Sequence, residues 1–516
     1  MDKLMQILKN PLYNQLFKRH EESQKTFIHF NDDQELSYSS FIERSQKYAQ
    51  IFSEYELICG DRIAFQLDKS IECLSIVAAS IQIGCIFLPL NPDYTGEEVA
   101  FFLKDSDAKL FICDPKNFES IRVAQSIKNM NIETMDRNGG GTLPSKERVS
   151  PRKTQIAERD ENDIAALLYT SGTTGRSKGA MLTHRNLISN AQALRDAWKF
   201  TSQDILLHAL PIFHTHGLFV ATNLTLLTGS SMIFLPKFEV GEVTRLIEKA
   251  TVMMGVPTFY VRLLGSNNLN KERAKSIRLF VSGSAPLLAE THKSFEEKTG
   301  HKILERYGMT ETNMNTSNPY YGLRKPGTVG QTLQGVELKI VDEEGVSLKD
   351  GDVGNILVKG ENVFKGYWNL PEKTKEDFTE DGFFKTGDLG RKDKAGYVEI
   401  VGRNKDLIIS GGFNIFPKEI ELAIDQTIGV MESAVIGVAH KDFGEGVLAV
   451  IVKKENSEVN KSIIQEFLKK KLAKYKQPKE VIFVKELPRN SMGKVQKNIL
   501  RQTYSDHFLI NKKYVI

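Results

Sequence analysis

The residues with the plainest chemical purpose are Thr170-Ser-Gly-Thr-Thr-Gly-Arg-Ser-Lys-Gly179. Within ten positions they hold five hydroxyl side chains, three glycines, one arginine and one lysine. Glycines let backbone N–H groups turn inward around an anion, hydroxyls add donors, and cations supply charge. That combination suits a loop that cradles phosphate. It lacks the Gly-Lys-Ser/Thr ending of a Walker loop, and a flexible surface turn rich in Ser and Gly would share its composition. An apolar run at 164–168 predicts a buried strand leading in, and helical periodicity from His184 predicts a helix leading out. Far along the chain, Lys494 sits in a loop bounded by Pro488 and Gly493, a segment able to swing into a site. By composition alone it would be one more surface lysine in a lysine-rich region.

The chain that must position these groups has 516 residues, more than one core usually supports, so two or three domains are expected. Apolar content of 41% and charged content of 26% are ordinary for a globular protein. A net charge of +4 gives no reason to expect a nucleic-acid partner. Cys59, Cys73, Cys85 and Cys113 have no metal-ligand spacing, and reduced thiols in the cytoplasm are the expectation. No secretory leader is visible. The most apolar stretch, 74–90, is split by Gly84 and reads as a helix passing into a strand, not as a membrane span.

From 36 to 115 helical and apolar extended patterns alternate: helices at 38–55, 70–82 and 96–106, strands at 61–67, 85–90 and 109–113. That predicts a layered α/β subdomain with parallel pairing. Residues 136–160 read as a linker. The alternation then resumes, with strands at 204–209, 231–235, 252–256 and 277–282 and helices at 240–250 and 289–299. After about 326 glycines fall every few residues among short alternating runs at 336–341, 355–359, 382–388 and 397–401, which predicts a β-rich part. From 403 onward the pattern is mixed again: strands at 432–438, 447–453 and 481–484, and a helix at 461–474. The expected architecture is α/β throughout. A large N-terminal domain over 1–402 combines two layered α/β subdomains with the β-rich part, and a small mobile α+β domain follows over 403–516.

The loop at 170–179 resembles the phosphate loop of the adenylate-forming superfamily, which includes acyl-CoA synthetases, peptide-synthetase adenylation domains and firefly-type luciferases. Four further segments match in order: Tyr307-Gly-Met-Thr-Glu-Thr312, Lys385-Thr-Gly-Asp-Leu389, Gly402-Arg-Asn-Lys-Asp-Leu-Ile-Ile-Ser-Gly-Gly-Phe413 and Pro488-Arg-Asn-Ser-Met-Gly-Lys494. One such motif is weak; five in order, spread over roughly 25–505, are specific. The resemblance implies an ATP- and Mg²⁺-dependent enzyme with coenzyme A as co-substrate. A carboxylate attacks the α-phosphate of ATP, and the CoA thiol then displaces AMP. It assigns the β- and γ-phosphates to Thr170, Ser171, Gly172, Thr173, Thr174, Gly175 and Lys178, and Mg²⁺ to Glu311. Thr310 contacts the α-phosphate, Tyr307 stacks on adenine beside Gly283, Ser284 and Ala285, and Asp388 holds the ribose with help from Arg403. Lys494 bridges carboxylate and α-phosphate oxygens. Lys405 is the hinge, and Gly411 and Gly412 line the pantetheine passage. The loop around Lys494 also resembles segments recognised by lysine acetyltransferases, which implies those enzymes and deacetylases as partners.

The acyl pocket implied by the family is bordered by 210–219, 255–262, 282–286 and 305–314. Pockets for fatty or aryl acids are apolar there, whereas this chain places Arg262 and Arg306. A buried cation is costly unless paired, and a guanidinium pairs a carboxylate through two parallel hydrogen bonds. These segments resemble those of malonyl-CoA synthetases, which implies malonate as the acid. Arg306 and Arg262 would clamp its distal carboxylate, with Ser284 donating and Arg324 as an alternative clamp. Thr215 and Met314 would bound the C2 position, and His214 would gate the passage to CoA. His216 is either a pocket residue or a structural histidine. Methylmalonate or another short acid is the alternative substrate. A carrier-protein adenylation module and a non-catalytic nucleotide-binding protein are the competing classes.

Overall fold

Strands that carry apolar side chains on both faces need a layer of helix on each side. The computed structural model, which describes residues 10–31, 34–119, 130–146, 154–170, 177–411, 413–490 and 493–509, has that arrangement. Ile86–Pro89, Leu110–Cys113, Ser231–Phe234, Val252–Gly255 and Leu279–Ser282 are buried at every position. The chain divides into two compact units. One is Met1–Leu338 with Val358–Phe384, and the other is Lys339–Leu357 with Lys385–Ile516.

The first unit holds two large sheets. In one, Leu304–Met309, Leu279–Ser282, Val252–Gly255, Ile205–His208, Ser231–Phe234 and Thr26–Asn31 lie side by side in parallel. Antiparallel strands extend both edges: Asn313–Ser317 and Gln331–Thr332 at one, Gln34–Ser37 at the other. The second sheet runs Gly366–Tyr367, Lys178–Thr183, Ile164–Thr170, Ile86–Pro89, Arg62–Gln66, Leu110–Cys113, Asn131–Thr134. Helix boundaries follow local chemistry. Gly96–Ser106 starts in a capping box between Thr95 and Glu98, which satisfies two orphan N–H groups. Ala289–Thr299 stops where Gly300 takes φ +79, a conformation open to glycine.

The helix expected from His184 begins there, and a strand that the sequence pattern did not indicate comes before it. Lys178–Thr183 is a strand, paired antiparallel with Ile164–Thr170 so that Thr170 faces Lys178, and only then does helix His184–Trp198 begin. The short Lys-Gly-Ala-Met-Leu-Thr run has no clear alternation. It is extended because strands hold it on both sides, Ile164–Thr170 on one and Gly366–Tyr367 on the other. Residues 171–176, including Ser171, Gly172, Thr173, Thr174 and Gly175, lie outside the described residues, as does Gly412.

In the second unit, Val430–His440 and Gly444–Lys453 form a long antiparallel hairpin, longer at both ends than the sequence pattern indicates. Glu480–Val484 adds in parallel, and the Ile408–Ser410 and Phe413–Ile415 pair completes that sheet. The β-rich stretch forms a separate sheet in the order Val336–Val341, Gly354–Gly360, Phe384–Lys392, Val398–Arg403. Among the described residues no helix is long and apolar enough to cross a membrane.

Candidate active site

At the mouth of the 170–179 loop the first unit gathers a carboxylate, two hydroxyls and a cation. Glu311 lies in the turn between Leu304–Met309 and Asn313–Ser317 and is 5% exposed. Its Oε1 accepts from Thr170 Oγ1 at 3.3 Å and from the Tyr367 hydroxyl at 3.1 Å. Burial, then the neighbouring Glu311 charge, push the Tyr367 pKa up, so that phenol stays protonated and donates. Lys178 Nζ sits 4.1 Å from the Tyr367 ring centre and 3.7 Å from an Asp377 oxygen. Tyr367 and Asp377 were invisible in the sequence because neither falls in a motif; both arrive from beyond residue 358. Hydroxyl donors hold this carboxylate in place, and carboxylate oxygens suit a hard cation, so Glu311 fits a Mg²⁺ ligand. Thr310 occupies the same turn, and Tyr307 is buried on the strand before it.

A second buried cluster is built around Arg306. Its residue is 3% exposed, and burial pushes the guanidinium pKa down to about 9. Among the described residues Nε and Nη2 have no hydrogen-bond partner. The same holds for Thr215 Oγ1, His216 Nε2 and Ser282 Oγ. His216 feels the Arg306 charge and is held well below its ordinary pKa, first by burial and then by that charge, so its ring is neutral. Its Nδ1 lies 3.3 Å from Ser284 Oγ. Ser284 has φ +70, a conformation that costs a non-glycine residue about 1–3 kcal/mol and is concentrated at functional sites. Gly283 packs flat against the guanidinium, and a Cβ there would stand 2.3 Å from Arg306 Cζ. Gly283→Ala should therefore displace Arg306 and lower kcat/KM for a dicarboxylate far more than for acetate; equal loss for both acids would remove Gly283 from the specificity argument.

The three candidate arginines occupy different settings. Arg262 is exposed in the last turn of helix Pro257–Leu264. Arg324 donates to the carbonyls of Pro319, Lys302 and Tyr320 at 3.3, 2.6 and 3.1 Å, which fastens a loop. Arg306 alone of the three is fully buried. Met314 is 2% exposed and pinned through its backbone by the Asn190 amide. Thr215 and His214 directly precede a π-helical stretch, His216–Thr222, and the His216 N–H donates to His214 Nδ1 at 3.3 Å. A π-turn leaves no hydrophobic period that sequence could reveal, and such turns are frequent at functional sites.

In the second unit Asp388 and Arg403 face each other across paired strands, with Arg403 Nε 3.1 Å from Asp388 Oδ1. Thr386 Oγ1 accepts from the Asp388 N–H, and the Asp388 residue is 4% exposed. Lys494 follows the Asn490 turn, where its N–H donates to Asn490 Oδ1. The residue is exposed; desolvation of its ammonium, then the Arg403 charge, bring its pKa down to about 8, while Lys405 adds to the effect and Asp388 and Asp406 oppose it. Lys405 lies in the short 3₁₀ turn Asn404–Asp406, and Arg501 fixes Asp406 at 2.6 Å. Gly411 has φ +60, and its N–H donates to the Phe443 carbonyl at 2.9 Å.

The chain is similar to known proteins. The AMP-binding enzyme family matches residues 17–368, and the AMP-binding enzyme C-terminal domain matches 419–494. A malonate–CoA ligase of Arabidopsis thaliana is 37% identical, covering 86% of this chain and 78% of its own. A long-chain-fatty-acid–CoA ligase of Bacillus subtilis is 32% identical, covering 94% of this chain and 93% of its own. The crystal structure of ATP-bound MatB from Rhodopseudomonas palustris superposes with a TM-score of 0.93 at 51% identity, over 97% of this chain and 99% of that one. The chain belongs to the AMP-binding enzyme family.

Proposed function

We propose that this protein is an AMP-forming acid–thiol ligase that activates malonate and transfers it to coenzyme A. The observation that carries the choice of acid is Arg306, a buried guanidinium with two nitrogens that lack hydrogen-bond partners among the described residues. Leaving such donors unmet costs several kcal/mol, which a bound carboxylate returns as paired charge. The likeness to the malonate–CoA ligase of Arabidopsis thaliana supports the same acid; the fatty-acid ligase of Bacillus subtilis keeps the family reading broader.

In the first step a carboxylate oxygen of malonate attacks the α-phosphorus of ATP, and the bond to pyrophosphate breaks. In the second the CoA sulfur attacks the acyl carbon, the bond to the AMP oxygen breaks, and the thiol proton leaves to solvent. Thr170 and Lys178 would hold the departing pyrophosphate, and Thr310 would donate to the α-phosphate. Glu311 would hold Mg²⁺, which supplies charge neutralisation across phosphate oxygens. Asp388, with Arg403, would accept from the ribose hydroxyls. Lys494 would stabilise the negative charge that gathers between carboxylate and α-phosphate. Arg306 would clamp the distal carboxylate and Ser284 would donate to it. Thr215 and Met314 would limit C2 to hydrogen or methyl, which keeps methylmalonate as the second substrate to test. Arg324, whose guanidinium is engaged by three carbonyls, is set aside as a clamp, and exposed Arg262 is at most a rim contact.

With 403–516 read as the small terminal domain, Lys405 would serve as its hinge and Gly411 would let pantetheine pass close to the backbone. Acetylation of Lys494 would remove its charge and stop the first step; a cytoplasmic location is part of the same reading.

The test is a pair of half-reactions. Malonate should drive ATP–pyrophosphate exchange without CoA, and adding CoA should yield malonyl-CoA with AMP in equal amounts. Exchange with malonate absent, or ADP as product, would overturn the assignment. The adenylation half-reaction should also lose rate as pH rises through about 8. Lys494 acts in its protonated form, which is full below that value and lost above it. A flat profile to pH 9.5 would show that the titrating lysine is not the one that acts.

A further inference from the structure

The wall that carries His214, Thr215 and His216 is fastened from beneath by Lys69, which no motif includes. Lys69 follows Arg62–Gln66 of the second sheet, whereas His208 ends the strand Ile205–His208 of the first. Lys69 Nζ lies 3.0 Å from His208 Nδ1 and donates to the His208 carbonyl at 2.8 Å, while its ammonium stands 4.2 Å from the Phe234 ring centre. On the other side of the imidazole, Nε2 lies 3.0 Å from the Gly217 carbonyl and 3.2 Å from Thr222 Oγ1. Thr222 Oγ1 itself donates to the Gly217 carbonyl at 2.9 Å.

A carbonyl can only accept. Nε2 must therefore carry the proton, and Nδ1 must be the bare nitrogen that accepts from Lys69. The lysine thereby selects the tautomer that lets His208 hold Gly217, inside the π-turn that starts at His216. That turn has no slack, because a Cβ on Gly217 would come within 1.9 Å of the Pro211 carbonyl. His208 is 1% exposed, so no water substitutes easily for a lost partner. Burial first, and then the Lys69 charge, hold His208 well below its ordinary pKa, which agrees with a neutral ring; burial lowers the Lys69 pKa as well.

We infer that Lys69 is a positioning residue: by fixing the His208 tautomer across the two sheets, it sets the π-turn whose first residue, His216, feels the Arg306 charge. It touches neither ATP nor acid. The inference rests on the proposed acyl pocket for its kinetic readout, while the tautomer itself does not depend on which acid is used.

The experiment has a spectroscopic and a kinetic arm. In ¹⁵N-histidine-labelled protein, the His208 signal, assigned by its absence in His208→Gln, should show an Nε2–H tautomer. In Lys69→Met, which keeps the apolar stem, that single tautomer should be lost. KM for malonate should rise about ten-fold, as expected for one buried hydrogen bond to a polar network, with KM for ATP within two-fold of the parent. Lys69→Ala should regain malonate affinity on adding propylamine. An Nδ1–H tautomer in the parent protein would overturn the inference without any variant, as would a Lys69→Met protein with unchanged malonate KM or with malonate and ATP KM raised alike. If malonate proves not to be the substrate, the tautomer arm still decides on Lys69, and the KM arm is read with whichever acid drives pyrophosphate exchange.

Discussion

Lys494→Ala is expected to lower adenylation of malonate by about 10²–10³-fold or more, the loss seen when one aimed donor is removed from a developing negative charge, while thioester formation from supplied malonyl-AMP continues at near the parent rate. The reasoning is electrostatic. In the first step charge concentrates on the α-phosphate and the attacking carboxylate, and a cation aimed at both is worth most in that transition state. In the second the negative charge leaves on the AMP phosphate oxygen, and the proposed rotation of the small domain about Lys405 would already have withdrawn Lys494 from the site. Lys494 stands among Arg403, Lys405, Asp388 and Asp406 in its own unit, and its depressed pKa marks an ammonium that is less well solvated than a surface lysine. Equal loss in both half-reactions would point to a structural lysine, and normal adenylation would remove it from the site.

Arg306→Met should cut kcat/KM for malonate by about 10⁴-fold, the scale on which a site built for a polar group suffers when that contact is lost. The same substitution should leave the free protein as stable as the parent or raise its Tm. That opposite sign separates function from structure. An arginine retained for folding would be paired, and removing it would leave a buried carboxylate stranded and lower Tm. Arg306 instead has donors without partners among the described residues, so replacing it with an apolar side chain of similar length removes an unmet cost. Arg324→Met should behave the other way, losing Tm because three carbonyls lose their donor while malonate discrimination stays. A fall in Tm for Arg306→Met with malonate preference intact would reverse the roles of the two arginines.

Local signals carried much of the fold. The ends of Gly96–Ser106 and Ala289–Thr299 are written in Thr95, Glu98 and Gly300, residues whose effect does not wait for tertiary structure. Many of the parallel strands were legible as short apolar runs, five of them buried at every position, whereas Thr26–Asn31, Asn131–Thr134 and Leu304–Met309 carry polar or exposed residues and were not. Lys178–Thr183 was not, since its strand conformation is imposed by neighbours on both edges. The π-turn at His216–Thr222 was hidden for a related reason: its geometry depends on His208 and Thr222 holding the Gly217 carbonyl.

The site divides similarly. Thr170, Glu311, Asp388 and Lys494 stand in segments that resemble family motifs, so the sequence could single them out as candidates. Arg262, Arg306 and Arg324 look alike as letters. What distinguishes them is whether carbonyls, solvent or nothing meets the guanidinium, and that is settled only by packing. Tyr367 and Lys69 belong to neither class; they hold other groups in place and carry no motif of their own.

The central claim is that unmet donors on a buried arginine select a second carboxylate. It is tested most directly by kcat/KM for malonate and acetate, each measured by pyrophosphate release in the intact protein with saturating ATP and CoA. Malonate should be preferred by about 10⁴-fold, and Arg306→Met should collapse that ratio toward unity. Comparable turnover of the two acids by the unaltered protein would contradict the claim.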